Sequence, residues 1–167
     1  MNKRTSTSIQ MIADYDGDIS NLFNVNIEGE LPILATRNMA MFPGVITPVI
    51  IGRKQSLNLL DHLRKKQDIS FAVFCQHDQE VEHPSTNDLF EYGVYARLVK
   101  ILELPGPGNN ITAIIQGLGR CRLNKLTTNK PFLMGEVAPA MEELPAADDK
   151  EFNTAMDDLR STTIEYI

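Results

Sequence analysis

Short apolar runs separated by polar turns fill the first half of the chain, and they predict strands. Leu31–Ala35 has the length of a strand, and the β-branched run Val45–Ile51 follows the turn signal Pro43-Gly44. Because proline cannot donate a hydrogen bond to a neighbouring strand, Pro48 predicts an edge or bulged strand. Ile69–Cys75 is apolar throughout and predicts a strand buried on both faces.

Helical spacing replaces this pattern between the second and third predicted strands. From Ser56 onwards Leu57, Leu60 and Leu63 recur every three residues, and Lys65-Lys66 closes the segment. This spacing predicts a short amphipathic helix with cations near its negative end. The polar stretch after the third strand, Gln76–Asp88, predicts a surface loop.

A long hairpin is the clearest local prediction. Glu91–Leu104 alternates, and Ile111–Leu123 forms a second long strand pattern. One face of the first strand is predicted to carry Val94, Ala96 and Leu98, and the other face Tyr95, Arg97, Val99 and Ile101. An extended tip joins the two strands and consists of Pro105, Gly106, Pro107, Gly108, Asn109 and Asn110. Pro131–Val137 predicts one more strand.

The end of the chain predicts a linker and then a helix. Glu142–Ala147 has linker composition, and Asp148 with Glu151 three residues later is typical of a helix start. Apolar or small residues then follow at helical spacing: Phe152, Met156, Leu159 and Thr163. Because no glycine or proline stops this helix before Ile167, we expect the chain to be part of a longer protein.

Composition is that of a globular protein. The 167 residues are 43% hydrophobic and 23% charged, and the polar first 29 residues predict a flexible leader. We therefore expect a leader at 1–29, a β domain at 30–140, and a linker with the first part of a helical subdomain at 141–167. No apolar run reaches the length of about 20 residues that a membrane helix needs, and no secretion signal opens the chain, so we expect a cytoplasmic protein without a membrane partner.

Charge is distributed unevenly. The net charge of −6 divides into −3 for residues 1–30, +3 for 31–140 and −6 for 141–167. Nucleic-acid binding needs clustered cations, and a body of +3 is too weakly basic to indicate it, so RNA remains a minor alternative.

The sequence gives little support for a metal site or for a redox function. Cys75 and Cys121 lie far apart and are interpreted as small buried hydrophobic residues, and the histidines lack the spacing of zinc ligands. The run Asp14–Asp18 resembles the start of a calcium loop, but no glutamate follows at the twelfth position, which favours a solvated leader. We expect no metal and no cofactor.

Catalytic motifs are also missing from the pattern. Gly117-Leu118-Gly119-Arg120 lies inside a strand pattern and lacks the spacing of a phosphate loop, which favours a bulge or turn. Neither a nucleophile elbow nor a zinc-protease helix motif occurs. We predict no catalytic residue.

One apolar cluster stands out beside the Pro43-Gly44 turn. Met39, Met41 and Phe42 are either part of the core or a strand edge, or they form an adaptable apolar surface for varied partners. We predict a substrate-binding surface of Met39, Met41, Phe42 and Pro43, and a second contact at the tip, residues 105–110.

These motifs, taken together, resemble the N-terminal domain of Lon proteases. The shared pattern is a spaced set of short motifs, present here as Leu31-Pro32, Arg37, Phe42-Pro43-Gly44, Pro48, Gly52-Arg53 and Ser56. Tyr92–Leu98 and Ile115–Leu123 resemble two later strands of that family. The likeness as a whole covers residues 30–167. Ala35 and Thr36 replace the usual Pro-Leu pair.

The resemblance implies a fold and a parent enzyme. The fold is α+β: a small, strongly curved β-sheet barrel of the PUA-like kind with one amphipathic helix, followed by the start of a helical bundle. The parent is an ATP-dependent serine protease, a homohexamer that uses ATP and magnesium. Neither a Walker A loop nor a Ser/Lys dyad lies in these residues, so no catalytic residue carries over.

The leading hypothesis is therefore a substrate-recognition and assembly domain. Its partners would be unfolded or damaged proteins and other subunits of the hexamer. The alternative is a stand-alone binding module of the same fold with no protease attached. An independent enzyme is the least favoured hypothesis.

Overall fold

The computed structural model describes residues 27–66, 70–102, 111–140 and 145–165. The strands within these ranges are β1 (Gly29–Thr36), β2 (Ile46–Ile51), β3 (Phe71–Cys75), β4 (Tyr92–Leu102), β5 (Ile111–Thr128) and β6 (Leu133–Pro139). The helices are α1 (Lys54–Lys65) and α2 (Lys150–Glu165), and a single 3₁₀ turn spans Thr86–Asp88 within the predicted surface loop.

The six strands form one strongly curved mixed sheet in the order β2-β5-β4-β3-β1-β6. Only β1 and β3 run parallel. The second half of β5, from Cys121, pairs again with β6, so the sheet curls round on itself. The predicted α+β class with a small curved sheet is confirmed.

Helix α1 packs on one face of the sheet. Its leucines Leu59, Leu60 and Leu63 are buried against the sheet residues Phe71 and Val73. The helix starts two residues earlier than predicted, and its basic last turn agrees with the prediction. Burial of three leucines contributes several kcal/mol, at about 1.5–3 kcal/mol each.

The opposite face of the sheet encloses a second apolar cluster. Tyr95 and Phe74 are fully buried there, and the Tyr95 hydroxyl donates a hydrogen bond to the carbonyl of Ile27. Burial raises the pKa of Tyr95 to about 12, so the hydroxyl keeps its proton. Cys121 also lies in this cluster, and burial raises the pKa of its thiol to about 12, which makes it the small hydrophobic residue that was predicted. Cys75 is only half-buried.

The predicted strands are confirmed, with one correction of faces. Pro48 lies on β2, which is the edge strand at the end of the sheet order. In β4, the prediction that Ile101 shares a face with Val99 is wrong, because Leu98 and Ile101 both pack on the α1 side. A register shift between Leu98 and Lys100 accounts for this, since a bulge inserts one extra residue and resets the alternation.

The start of α2 lies one residue later than predicted. The Asp149 carboxylate, and not that of Asp148, accepts the backbone N–H of Phe152 at 3.0 Å. The side chains of α2 are exposed apart from Met156, which is half-buried. The Asp14–Asp18 run lies outside the described residues.

Candidate functional site

The segment between β1 and β2, residues 37–45, forms a turn that we call the apolar turn. At its start the buried Thr36 hydroxyl donates to the carbonyl of Met39 at 2.7 Å. Asn38 has a φ of 52°, a left-handed conformation that asparagine tolerates better than most residues. The hydroxyl and the left-handed residue together fix the direction in which the chain leaves β1.

Gly117 of β5 anchors the other end of the apolar turn. Its carbonyl accepts the N–H of Gly44 at 3.0 Å, and its N–H donates to the carbonyl of Val45 at 2.9 Å. A Cβ atom at Gly117 would lie 2.3 Å from the carbonyl oxygen of Phe42. Glycine is therefore required here by the close approach of the turn, and this part of the Gly117–Arg120 motif is structural. The predicted bulge is also present, since the β4–β5 register shifts between the pairs Ala96–Gly117 and Val94–Arg120.

The four residues predicted as a substrate-binding surface occupy different environments. Met41 is 9% exposed and belongs to the core beneath α1, while Met39 packs partly against the same cluster. Phe42 is 65% exposed, and Pro43 beside it is half-buried. Met41 therefore belongs to the core and Phe42 to the surface. The core interpretation describes the first residue, and the surface interpretation describes the second.

Strand β2 has apolar residues on both of its sides. Val49 and Ile51 are buried with α1, so the alternate residues Pro48 and Ile50 point to the other side of the sheet. Ile50 is 75% exposed. On the neighbouring β5, Ala113 and Ile115 are buried, so Ile114, which pairs with Pro48, shares this side.

The bulged part of β4 completes this surface. Because Leu98 and Ile101 both face α1, the two residues between them, Val99 and Lys100, lie on the other side. Arg97 lies there too, and its Nε donates to the side-chain oxygen of Gln116 at 2.7 Å. We call this surface the outer face, and its members are Ile46, Pro48, Ile50, Arg97, Val99, Lys100, Thr112 and Ile114.

A cleft of about 480 Å³ separates β2 from the end of β1. Met39, Pro48 and Ile50 contribute apolar walls, and Arg53 reaches in from the start of α1. Arg53 Nη2 donates to the carbonyl of Ala35 at 2.7 Å, while Nη1 is buried with no hydrogen-bond partner. Burial, with a smaller effect from Arg37 and an opposing effect from Glu82, lowers the pKa of Arg53.

Replacing Arg53 with methionine should lower the free energy of unfolding by about 1–2 kcal/mol, because the Ala35 carbonyl loses its donor. Chemical denaturation of the wild-type chain and the variant measures this difference. The control is Lys54→Met at the next, exposed position, which should change stability little. Equal stability of all three chains would contradict a structural role for the arginine.

A second cleft borders the apolar turn at Ala40 and was not predicted. It measures about 820 Å³ and is lined in part by His77, Phe90 and Tyr92. The rings of His77 and Phe90 are 4.0 Å apart, and Tyr92 is 61% exposed. This cleft is therefore a rival apolar surface to the outer face.

Ile50 and Val99 lie on the outer face but were not among the predicted binding residues. A signal was present for Ile50, since an edge strand with apolar residues at consecutive positions must turn some of them to solvent. No such signal existed for Val99, whose side depends on the bulge. The predicted contact at residues 105–110 lies outside the described residues, so its role stays a prediction.

Neither a metal centre nor a membrane-spanning helix is found among the described residues. No three histidine, cysteine or carboxylate side chains there lie close enough to hold a metal ion. Among the same residues, no helix is both long and apolar enough to span a bilayer.

The fold is that of Lon N-terminal domains. The solved N-terminal domain of the Lon protease of the Mycobacterium avium complex superposes with a TM-score of 0.60 at 15% identity, covering 82% of this chain and 68% of that one. A Lon N-terminal domain protein from Xanthomonas campestris gives a TM-score of 0.52 at 16% identity, covering 77% and 72%.

The sequence identifies the family itself. Residues 30–167 match the ATP-dependent protease La (LON) substrate-binding domain, and the chain belongs to this family. It is 36% identical to the Lon protease of Porphyromonas gingivalis over 85% of this chain and 17% of that protein. It is also 36% identical to the Lon protease of Parabacteroides distasonis over 90% of this chain and 18% of that protein. The chain therefore spans less than one fifth of these two relatives.

Proposed function

We propose that this chain is the substrate-recognition and assembly domain of an ATP-dependent serine protease of the Lon type. The parent would degrade misfolded, damaged and short-lived regulatory proteins in the cytoplasm, as a homohexamer. ATP and magnesium would be used by other modules of that parent. Membership of the substrate-binding family supports this proposal.

The single observation that carries the proposal is that apolar side chains of the outer face and of the apolar turn are exposed. Phe42, Val45, Ile50 and Val99 are 41–75% exposed. Contiguous apolar residues at a surface mark interaction sites, because their hydration is unfavourable until a partner covers them. On the outer face Pro48 pairs with Ile114, and Ile50 follows on the same side of β2. The matching partner is an apolar segment of another protein, which is buried when that protein is folded and exposed when it is unfolded.

Weak binding by one domain suffices for this task. A single phenylalanine or isoleucine contributes about 1–2 kcal/mol on burial, which corresponds to roughly 5- to 30-fold in affinity. Several copies of the domain in one assembly raise the effective concentration of substrate, so moderate affinities combine. A surface of this kind therefore discriminates unfolded from folded chains without a specific sequence motif.

Aspartate at Phe42 or at Ile50 should weaken binding of a labelled, permanently unfolded protein by about tenfold, because each removes one exposed apolar contact and adds a charge. Fluorescence anisotropy with reduced, carboxymethylated α-lactalbumin measures this. The native form of the same protein serves as the negative control.

Two variants give matched controls for the same chemical change. Leu159→Asp replaces a 61% exposed leucine on α2, and Tyr92→Asp alters the rival cleft. We expect near wild-type binding from both. Unchanged binding by the Phe42 and Ile50 variants, or loss only with Tyr92→Asp, would refute the assignment of the surface.

A further inference from the structure

The three strands that build the outer face contain no acidic residue. β2, β4 and β5 together carry Arg97, Lys100, Arg120, Arg122 and Lys125, and no aspartate or glutamate. This is unusual in a chain of net charge −6. The cationic character therefore belongs to this part of the sheet and not to the molecule as a whole.

The cations of the outer face itself are Arg97 and Lys100. Arg122 and Lys125 have carboxylate partners in Glu91 at 3.8 Å and Glu136 at 3.2 Å. The contact that holds Arg97 is instead a neutral amide, that of Gln116. Since an amide adds no negative charge, the guanidinium keeps its positive field at the edge of the apolar residues.

Apolar and cationic side chains are also close neighbours on the outer face. The bulge in β4 sets Val99 and Lys100 side by side on the same side of the sheet, and Lys100 pairs with Ile114 across the strands. An extended segment lying on Ile50, Ile114 and Val99 would therefore bring its flanking residues to Arg97 and Lys100. Acidic flanks would be attracted and basic flanks repelled.

We propose that the outer face selects extended polypeptide segments whose apolar residues are flanked by aspartate or glutamate. This inference rests on the proposed function and names the class of substrate that the surface prefers. The exposed side chains of Ile50 and Val99 favour a peptide over a nucleic acid, because a nucleic-acid phosphate backbone gains nothing from aliphatic groups.

Three labelled peptides that share one apolar core and differ only in their flanks test the proposal. Four flanking residues are aspartate in the first peptide, serine in the second and lysine in the third. At low salt we expect the acidic peptide to bind about three- to tenfold more tightly than the neutral one, as two exposed ion pairs allow, and the basic peptide to bind most weakly. Added salt should reduce the difference.

Charge variants localise the preference. Lys100→Gln should lower the ratio of acidic to neutral affinity, and Lys100→Glu should favour the basic peptide. Lys65→Gln, at the exposed end of α1, is the matched control and should leave the ratio unchanged. Thermal unfolding of each variant verifies that the fold is retained.

The remaining outcomes either overturn this inference alone or count against both proposals. Equal affinity for all three peptides, or a ratio that the Lys100 variants leave unchanged, would overturn this inference and leave the proposed function standing. Absence of binding by every peptide would count against both. Displacement of the acidic peptide by a short single-stranded RNA at lower concentration than by unlabelled peptide would overturn the inference in favour of a nucleic-acid ligand.

Discussion

Aspartate at position 41 should unfold the domain, whereas aspartate at the next position, 42, should leave it folded. Met41 is 9% exposed within the cluster beneath α1, and Phe42 is 65% exposed. An aspartate among buried apolar side chains has no hydrogen-bond donors to compensate for the loss of water, so its burial costs several kcal/mol. We expect Met41→Asp to lose at least about 4 kcal/mol, a large fraction of the stability of a typical domain.

Circular dichroism and denaturant titration of the two variants provide the measurement. Met41→Leu, which conserves volume and polarity, is the control and should cost less than about 1.5 kcal/mol. A folded Met41→Asp variant that only loses affinity would show that this side chain lies on the binding surface, in contradiction to its burial.

Alanine at Gly117 should disturb the fold and the binding surface at the same time. The added Cβ would lie 2.3 Å from the Phe42 carbonyl oxygen, so the turn must move, and the hydrogen bonds from Gly44 and to Val45 are strained or lost. We expect a loss of about 1–3 kcal/mol in the free energy of unfolding. Because Phe42 moves with the turn, binding of unfolded protein should weaken even at temperatures where the variant is fully folded.

A comparison with Asn124→Ala on the same strand controls for substitution in β5, since Asn124 is exposed. Equal affinity of folded Gly117→Ala and wild-type chains would show that the position of the turn does not matter for binding.

The elements of this fold were largely predictable because their signals are local. The apolar runs, the spacing of Leu57, Leu60 and Leu63, and the Gly/Pro/Asn tip each reflect the geometry of one strand, helix or turn. Pro48 also conveyed non-local information, because a missing donor is tolerated only where no partner strand needs it.

The division of neighbouring residues between core and surface was less accessible. Met39, Met41 and Phe42 form one apolar cluster in the sequence, and only the docking of the turn on Gly117 determines that Phe42 faces outward. Similarly, Ile101 was assigned to the wrong face because a bulge in β4 interrupts strict alternation. Both outcomes depend on contacts between residues more than ten positions apart.

The cationic character of the outer face could be predicted from the sequence only in part. The lack of acidic residues in β2, β4 and β5 is visible in the sequence, but it gains meaning only once the order of the strands places these three side by side. Net charge averaged over residues 31–140 conceals it, because all the acidic residues of that range lie outside these three strands.

The most direct test of the substrate-binding surface is a titration of the ¹⁵N-labelled chain with the acidic apolar peptide, followed by amide chemical shifts. We expect the signals of Phe42, Val45, Ile50, Val99 and Ile114 to shift with the peptide concentration, while those of α1 and of Phe90 and Tyr92 stay in place. Shifts confined to His77, Phe90 and Tyr92, or an absence of shifts at the apolar turn and the outer face, would contradict it.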